Sequence, residues 1–337
     1  MSANAERPLA GAPATPRGAR GADRLPHQEA VERVIVQMRR QLAEGLALAE
    51  MAEIARLSPF HFLRVFRAMT GLTPRDFLAA LRLQEAKRLL LTTGLSVTDV
   101  CFEVGYTSLG TFTTRFTRLV GVTPGQFRRM GERVVEACIR PLQVARAGQV
   151  SLAGPAGPAR GGVAGRIDAP SAPAGLIFAA LFPLSAPQGE PPACTVLPCG
   201  PGPYRIDPAP DGWFYVLACS VPWGDDPLGY LLPAEDVWVG ASRGPVQVKG
   251  GRAGSAVDIA LRPIRPTDPP ILPVCAFMLA RRPELRAIGK RRGGPCATCA
   301  GREGRSRARA PEQLPAERPG FPRRRGRSAG PGRNPFS

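Results

Sequence analysis

Between His27 and Met130 the apolar positions recur at three- and four-residue spacing, the period of helices with one buried face. Phe62, Val65 and Phe66 share one helical face, and Phe112 and Phe116 share another. Phe77, Leu78, Leu81, Ala86, Leu89 and Leu90 form a longer stripe, which predicts one helix over residues 74–91. The pattern repeats. Met51-Ala52 and Leu57 return as Val100-Cys101 and Tyr106 at an offset of 49 residues, while Phe62, Phe66, Gly71, Thr73-Pro74 and Phe77 return as Phe112, Phe116, Gly121, Thr123-Pro124 and Phe127 at an offset of 50. The extra residue falls in the turn from Tyr106 to Leu109. Each repeat reads as a short helix, a tight turn, a second helix, a Gly stop, and a Thr-Pro pair that opens the next helix. Ser96-x-x-Asp99 is a capping box for the short helix of the second repeat. Two short helices joined by a tight turn are a helix-turn-helix unit.

Elsewhere the pattern changes. Residues 166–272 alternate short β-rich runs with Pro/Gly turns. The predicted strands are 176–182, 193–197, 204–206, 213–219, 237–239, 246–248 and 257–261. Short strands at this density predict a small antiparallel β-sandwich. The expected organisation is multidomain, α then β. Residues 1–26 are a disordered leader, 27–130 an all-α double helix-turn-helix domain, 131–165 a linker, 166–272 the β-sandwich, and 273–337 a basic low-complexity tail expected to be disordered.

Charge is unevenly placed. The net charge is +18, and residues 281–337 carry +12 of it, with 16 basic and 4 acidic side chains. Only Lys87, Lys249 and Lys290 are lysines; with so much Ala, Gly and Pro, this is the usage of a GC-rich genome, so the Arg count alone says little about nucleic acid. No apolar run reaches the roughly 18 residues of a spanning helix. The first 26 residues hold no apolar signal core, which leads us to expect a cytoplasmic protein with no membrane partner. Eight cysteines include Cys296-x-x-Cys299, half of a zinc knuckle with no second pair or His beside it, so no metal and no cofactor is expected. Gly240-Ala-Ser242-Arg-Gly244 matches the nucleophile elbow of hydrolases. That elbow needs a downstream His, whereas His27 and His61, the 2 histidines of the chain, lie upstream in the helical region, so no enzyme is expected. Asp225-Asp226 and Glu235-Asp236 read as solvated loop charge.

Residues 28–130 resemble the AraC/XylS family of bacterial transcription regulators. The resemblance rests on Leu57-Ser-Pro-Phe-His-Phe-Leu-Arg-Val-Phe66, Gly71-Leu-Thr-Pro74, Arg82, Ala86 and Leu89-Leu90 in the first half. In the second it rests on Val104-Gly-Tyr-Thr-Ser108, Phe112-Thr-Thr-Arg-Phe116, Gly121-Val-Thr-Pro124 and Phe127-Arg128. It implies two helix-turn-helix units held by a linking helix, with the second helix of each in the major groove of double-stranded DNA. The residues then left for DNA are Phe60, Leu63, Arg64 and Arg67 on the first recognition helix, and Leu109, Gly110, Thr111, Thr113 and Thr114 on the second. Arg64 suits a guanine edge, and the threonines suit thymine methyls. Thr114 stands where the family often has Arg, so the second helix is expected to read its half-site less stringently. Leu63 and Leu109 replace polar residues common in the family. Ser58, Ser108, Arg67 and Arg118 are expected phosphate contacts. Arg82 is expected to pair with an acid inside the domain, and His61 to lie on the helix surface.

Pro203-Tyr-Arg-Ile206 and Pro210-Asp-Gly-Trp-Phe-Tyr-Val-Leu217 resemble a hairpin of transthyretin-like or carboxypeptidase-regulatory-like sandwiches. The family's usual order puts the sensing domain first; here the β region follows. The expected function is sequence-specific DNA binding at a promoter operator, with RNA polymerase as a further partner. The β domain is left with a small-molecule effector or a second copy of the chain to bind. The alternative is an interaction protein whose sandwich holds a partner, with the helical units as a degenerate adaptor.

Overall fold

The computed structural model describes residues 24–134, 161–169, 175–197, 200–223, 227–232 and 236–273. Seven helices lie among them: α1 (Arg24–Arg40), α2 (Leu48–Ala55), α3 (Pro59–Thr70), α4 (Pro74–Thr92), α5 (Val97–Glu103), α6 (Leu109–Val120) and α7 (Pro124–Val134). Their ends sit where the side chains satisfy backbone groups that a helix leaves unpaired. The Thr73 hydroxyl accepts from Asp76 N–H, and Thr123 exchanges hydrogen bonds with Gln126. Ser96 and Asp99 form the reciprocal box expected for α5. Gly71 and Gly121 end α3 and α6 at φ +74° and +93°, a left-handed conformation in which a Cβ is strained.

The repeat is also a repeat of packing. Phe62, Phe66 and Phe77 form a chain of edge-to-face rings, with centroids 5.4 and 5.5 Å apart. Phe112, Phe116 and Phe127, at the offset of 50 residues, form its counterpart with spacings of 5.7 and 5.8 Å. All six rings are buried, each worth roughly 1.5–3 kcal/mol from burial. The α4 helix lies between the units, giving Phe77, Leu78 and Leu81 to the first core and Leu83, Ala86, Leu89 and Leu90 to the second. Arg82, on that helix, donates to the carbonyls of Leu42 and Ala43 at 2.8 and 2.9 Å, in the turn after α1. Its partners are therefore backbone oxygens and not the acid expected, because the chain leaving α1 turns its carbonyls toward α4.

Among the described residues the β region has ten strands: β1 (Val163–Asp168), β2 (Gly175–Phe182), β3 (Cys194–Leu197), β4 (Gly202–Ile206), β5 (Gly212–Pro222), β6 (Trp238–Ala241), β7 (Val246–Lys249), β8 (Arg252–Ala253), β9 (Ile259–Ala260) and β10 (Arg262–Pro263). One sheet runs β4-β1-β9; the other runs β10-β6-β5-β2-β3, with β7 on β5 and β8 on β7. Every pairing between these strands is antiparallel except β1 with β9, which is parallel. Strand β1 begins inside the stretch expected to be linker. Glycines at 161, 162 and 165 disguise it, and its backbone partners lie about 40 and 90 residues downstream. The expected leader up to residue 23, residues 135–160 of the expected linker and the expected tail from 274 lie outside the described residues.

Strand β2 is buried along its whole length, a pattern of strands covered on both faces. Ile177, Ala179 and Leu181 point into a core shared with β1, β4 and β9. Leu176 and Phe178 point the other way and join the core of the second helix-turn-helix unit, together with Ile271 and Leu272. The two regions are thus packed through one continuous apolar cluster. At its edge the buried Lys87 ammonium of α4 donates to the carbonyls of Ile271 and Leu272, both at 3.3 Å.

Candidate nucleic-acid interface

Helices α3 and α6 each bury one stripe and leave the opposite one exposed. On α3, Phe62, Phe66 and Thr70 face the core; Phe60, Arg64 and Arg67, at i, i+4 and i+7, form an exposed stripe flanked by half-buried Leu63. Phe60 is 89% exposed, so its ring stands clear of the core. On α6, Phe112, Phe116 and Val120 face the core, while Leu109, Gly110, Thr111, Thr114 and Arg118 are exposed and Thr113 is half-buried. The offset of 50 residues puts Arg64 and Thr114 at equivalent positions of the two helices, as it does Phe60 and Gly110. The first helix therefore presents an aromatic ring and a forked cation where the second presents a bare backbone and a hydroxyl.

The N-termini differ too. Ser58 caps α3 through its backbone with no side-chain capping bond, while the Ser108 hydroxyl accepts from Thr111 N–H at 3.4 Å. Both serines are exposed beside a helix N-terminus, where unpaired N–H groups and the helix dipole favour an anion. His61 is half-buried, and its ring meets His27 of α1 edge-on, with centroids 5.3 Å apart.

Two features of the site were not expected from the sequence. Arg115 lies on the inner side of α6 and pairs with Asp76, in the first turn of α4, at 2.9 Å. This ties α6 to the start of α4. Its spacing of three residues from Phe112 was the available signal that it turns inward. Second, the guanidinium of Arg128 on α7 donates to Leu90 and Leu95 carbonyls, which fixes α7 against the end of α4. Burial pushes the Tyr106 phenol and the Cys101 thiol, both in the turn region of the second unit, above their ordinary pKa values. The carboxyl of Asp99 is held below its ordinary range by the hydrogen bonds that cap α5.

Ser242, in the elbow-like motif, is buried; its hydroxyl accepts from Val216 N–H at 3.1 Å and donates to the Gly244 carbonyl at 2.8 Å. Of the acidic pairs only Asp236 lies among the described residues, and Cys296 and Cys299 lie outside them. No helix among the described residues is long and apolar enough to cross a membrane.

The geometry of residues 51–130 is that of two tandem helix-turn-helix units, and the same residues match the family model described as a helix-turn-helix domain. This region is an AraC-type helix-turn-helix region. Among curated relatives, the chain is 29% identical over 110 residues to the bifunctional transcriptional activator/DNA repair enzyme AdaA of Bacillus subtilis, covering 33% of this chain and 52% of the relative. It is 33% identical over 118 residues to the transcriptional regulator GlxA of Rhizobium meliloti, covering 35% and 36%. It is 36% identical over 95 residues to the RCS-specific transcriptional activator RclR of Escherichia coli, covering 28% and 34%. The chain thus spans about half or less of the length of these relatives. Among solved structures, the DNA-binding domain of AdpA in complex with a target DNA is 30% identical, with a TM-score of 0.29, covering 30% of this chain and 90% of that one.

Proposed function

We infer that the chain regulates transcription by binding a specific double-stranded DNA sequence through α3 and α6. The two helices enter successive major-groove segments about one turn (~34 Å) apart, so that one chain reads a non-palindromic operator. The observation that carries this reading is the pair of equivalent helices whose non-core stripes are bare of protein contacts that would bury them, one bearing Phe60, Arg64 and Arg67 and the other Gly110, Thr111 and Thr114. Arg64 reads a base edge; Thr111 and Thr114 meet thymine methyls, with Leu63, Leu109 and Thr113 beside them. Ser58, Ser108, Arg67 and Arg118 contact phosphates, which fixes register without sequence information.

The division into a helical DNA-binding part and a β part, the latter read as a small sandwich, belongs to the same proposal, as does a cytoplasmic location. The test is an anisotropy titration of the full chain against a duplex selected from random DNA, with random duplex as competitor. The reading expects selected DNA to win by at least about 10³-fold at physiological salt. Equal affinity for both duplexes would favour the adaptor reading, in which the β region holds a protein partner and the helical units recognise nothing.

A further inference from the structure

Behind the helical units lies a cavity of about 450 Å³. Its floor is the face of the larger sheet that turns away from the β core: Phe178 and Phe182 of β2, Leu217 of β5 and Val239 of β6. Its walls are two loops. One is the strap that follows β2, contributing Ser185 and Pro187; the other is the 268–273 segment that lies over α4. The loops hold each other, since Leu272 N–H donates to the Pro187 carbonyl at 3.3 Å. Lys87 holds the second loop from the helical side.

The strap reaches both recognition helices. Ala186 is 1% exposed and packs into the core of the first unit. Ser185 lies against Gly71, the C-cap of α3, so closely that a Cβ on that glycine would come within 2.6 Å of the Ser185 hydroxyl oxygen. Four residues on, Gly189 N–H donates to the Leu119 carbonyl in the last turn of α6 at 2.7 Å. One short loop thus forms a wall of the cavity and braces the C-terminal ends of α3 and α6 together.

The lining is mainly apolar, and among the described residues its charged side chains are Arg262 and Asp268. Arg262 grips Asp268 with both terminal nitrogens, each 2.7 Å from a carboxylate oxygen. The two charges cancel and their strongest hydrogen-bonding positions are used, so a charged guest would lose water with no counter-ion to receive it. A volume of this size falls in the roughly 300–1,000 Å³ range of small-molecule sites.

We propose that this cavity binds a small, neutral, mainly apolar molecule, and that the 183–190 strap transmits its occupancy to both recognition helices. The second half rests on the DNA-binding reading above; the first half stands without it. A guest that moves the strap changes the angle between α3 and α6, and with it the fit to two groove segments at once. Such coupling is bounded by the guest's differential affinity for the two arrangements.

The probe is N-phenyl-1-naphthylamine, a neutral apolar dye that brightens away from water. Titrated into the full chain without DNA, it should bind at one saturable site. The anionic dye 8-anilinonaphthalene-1-sulfonate should bind at least 10-fold more weakly. Ala241, on β6, is exposed at the cavity mouth. Ala241→Trp should weaken the neutral dye at least 10-fold while the thermal melt stays cooperative, with Ala241→Leu as the milder replacement if the first variant misfolds. Saturating dye should then shift the Kd for a selected duplex at least 3-fold in the parent chain and leave it unshifted in the variant. Absence of a saturable neutral-dye site, or equal binding of both dyes, would overturn the cavity assignment whatever the chain does with DNA. Dye binding that leaves the Kd unmoved would overturn the coupling. Failure to bind selected DNA without dye would instead sink the DNA reading, with the dye titration still deciding the cavity.

Discussion

At the scale of single residues, the asymmetry between Arg64 and Thr114 carries the most consequence. Equivalent positions on two bare helices hold a five-donor fork in one unit and a single hydroxyl in the other. Arg64→Ala is expected to weaken binding to a selected site by about 1–3 kcal/mol and to relax preference at one base pair. Thr114→Ala should cost less and relax a position already degenerate. Titration of both variants against single-base variants of the site checks this; an unchanged preference in Arg64→Ala would mean that α3 meets DNA in another register. A second residue-scale expectation concerns pH. Side-chain and then backbone hydrogen bonds with Ser96 lower the Asp99 pKa in the folded chain, below its ordinary value of 3.8. A carboxyl with a depressed folded pKa adds stability that is present above its unfolded pKa and is lost as pH falls through the folded one. The start of α5 should therefore stay capped at neutral pH and loosen only below about pH 4. Amide exchange near Val97–Val100 should follow this titration, and Asp99→Asn should abolish its pH dependence.

At the scale of elements, the turn of the second unit is set by one close approach. Gly105 has φ +81°, and a Cβ there would sit 2.1 Å from the Ala43 carbonyl oxygen, in the turn after α1. Gly105→Ala faces both backbone strain and a collision with backbone that cannot swing aside. The expected loss is at least about 2 kcal/mol, read as a lower urea midpoint at unchanged slope. A midpoint within 0.5 M of the parent would show that the α1–α2 turn yields easily.

The helical elements were legible because their signals are local. Glycine stops, Thr-Pro starts and phenylalanines at helical spacing lie within a few residues of one another, and the 50-residue repeat states each of them twice. Most β-strands were legible too, as apolar runs between turns. What stayed hidden depends on partners far away in the chain. Strand β1 is short and glycine-rich, and only its neighbours β4 and β9 make it a strand. Nothing in the sequence around Lys87 marks it as buried, yet it lies against carbonyls 184 and 185 residues away. The loop after β2 reads as a Pro/Gly turn; nothing in its composition says that Ala186 belongs to the core of a helical unit. The outward stripes of α3 and α6 followed from the placement of their inward phenylalanines. Arg115, three residues from one of those rings, is the site feature that such reasoning had within reach and did not use.

At the scale of the whole molecule, the shared apolar cluster makes the β region more than a passenger. Leu89, Leu90 and Phe127 belong to the same cluster as Leu176, Phe178 and Leu272. Cutting the chain after residue 134 would bare apolar surface on α4 and α7 and leave Lys87 without the carbonyls it caps. The fragment 24–134 keeps both aromatic chains, so it should still melt cooperatively, but at a lower temperature than the full chain in a calorimetric scan. A fragment that melts at the same temperature as the parent would mean that the packing between regions contributes no stability.

On the proposed reading, α3 and α6 of one chain read one DNA site unequally. The decisive measurement is selection of bound sequences from a random duplex pool by the full chain, followed by sequencing. The expected result is a non-palindromic site with two clusters of preferred bases about one helical turn apart, ~10 base pairs, one sharply specified by α3 and the other more loosely by α6. Enrichment no greater than for random DNA, or a palindrome with two equally strong halves, would show that α3 and α6 do not read one site in this way.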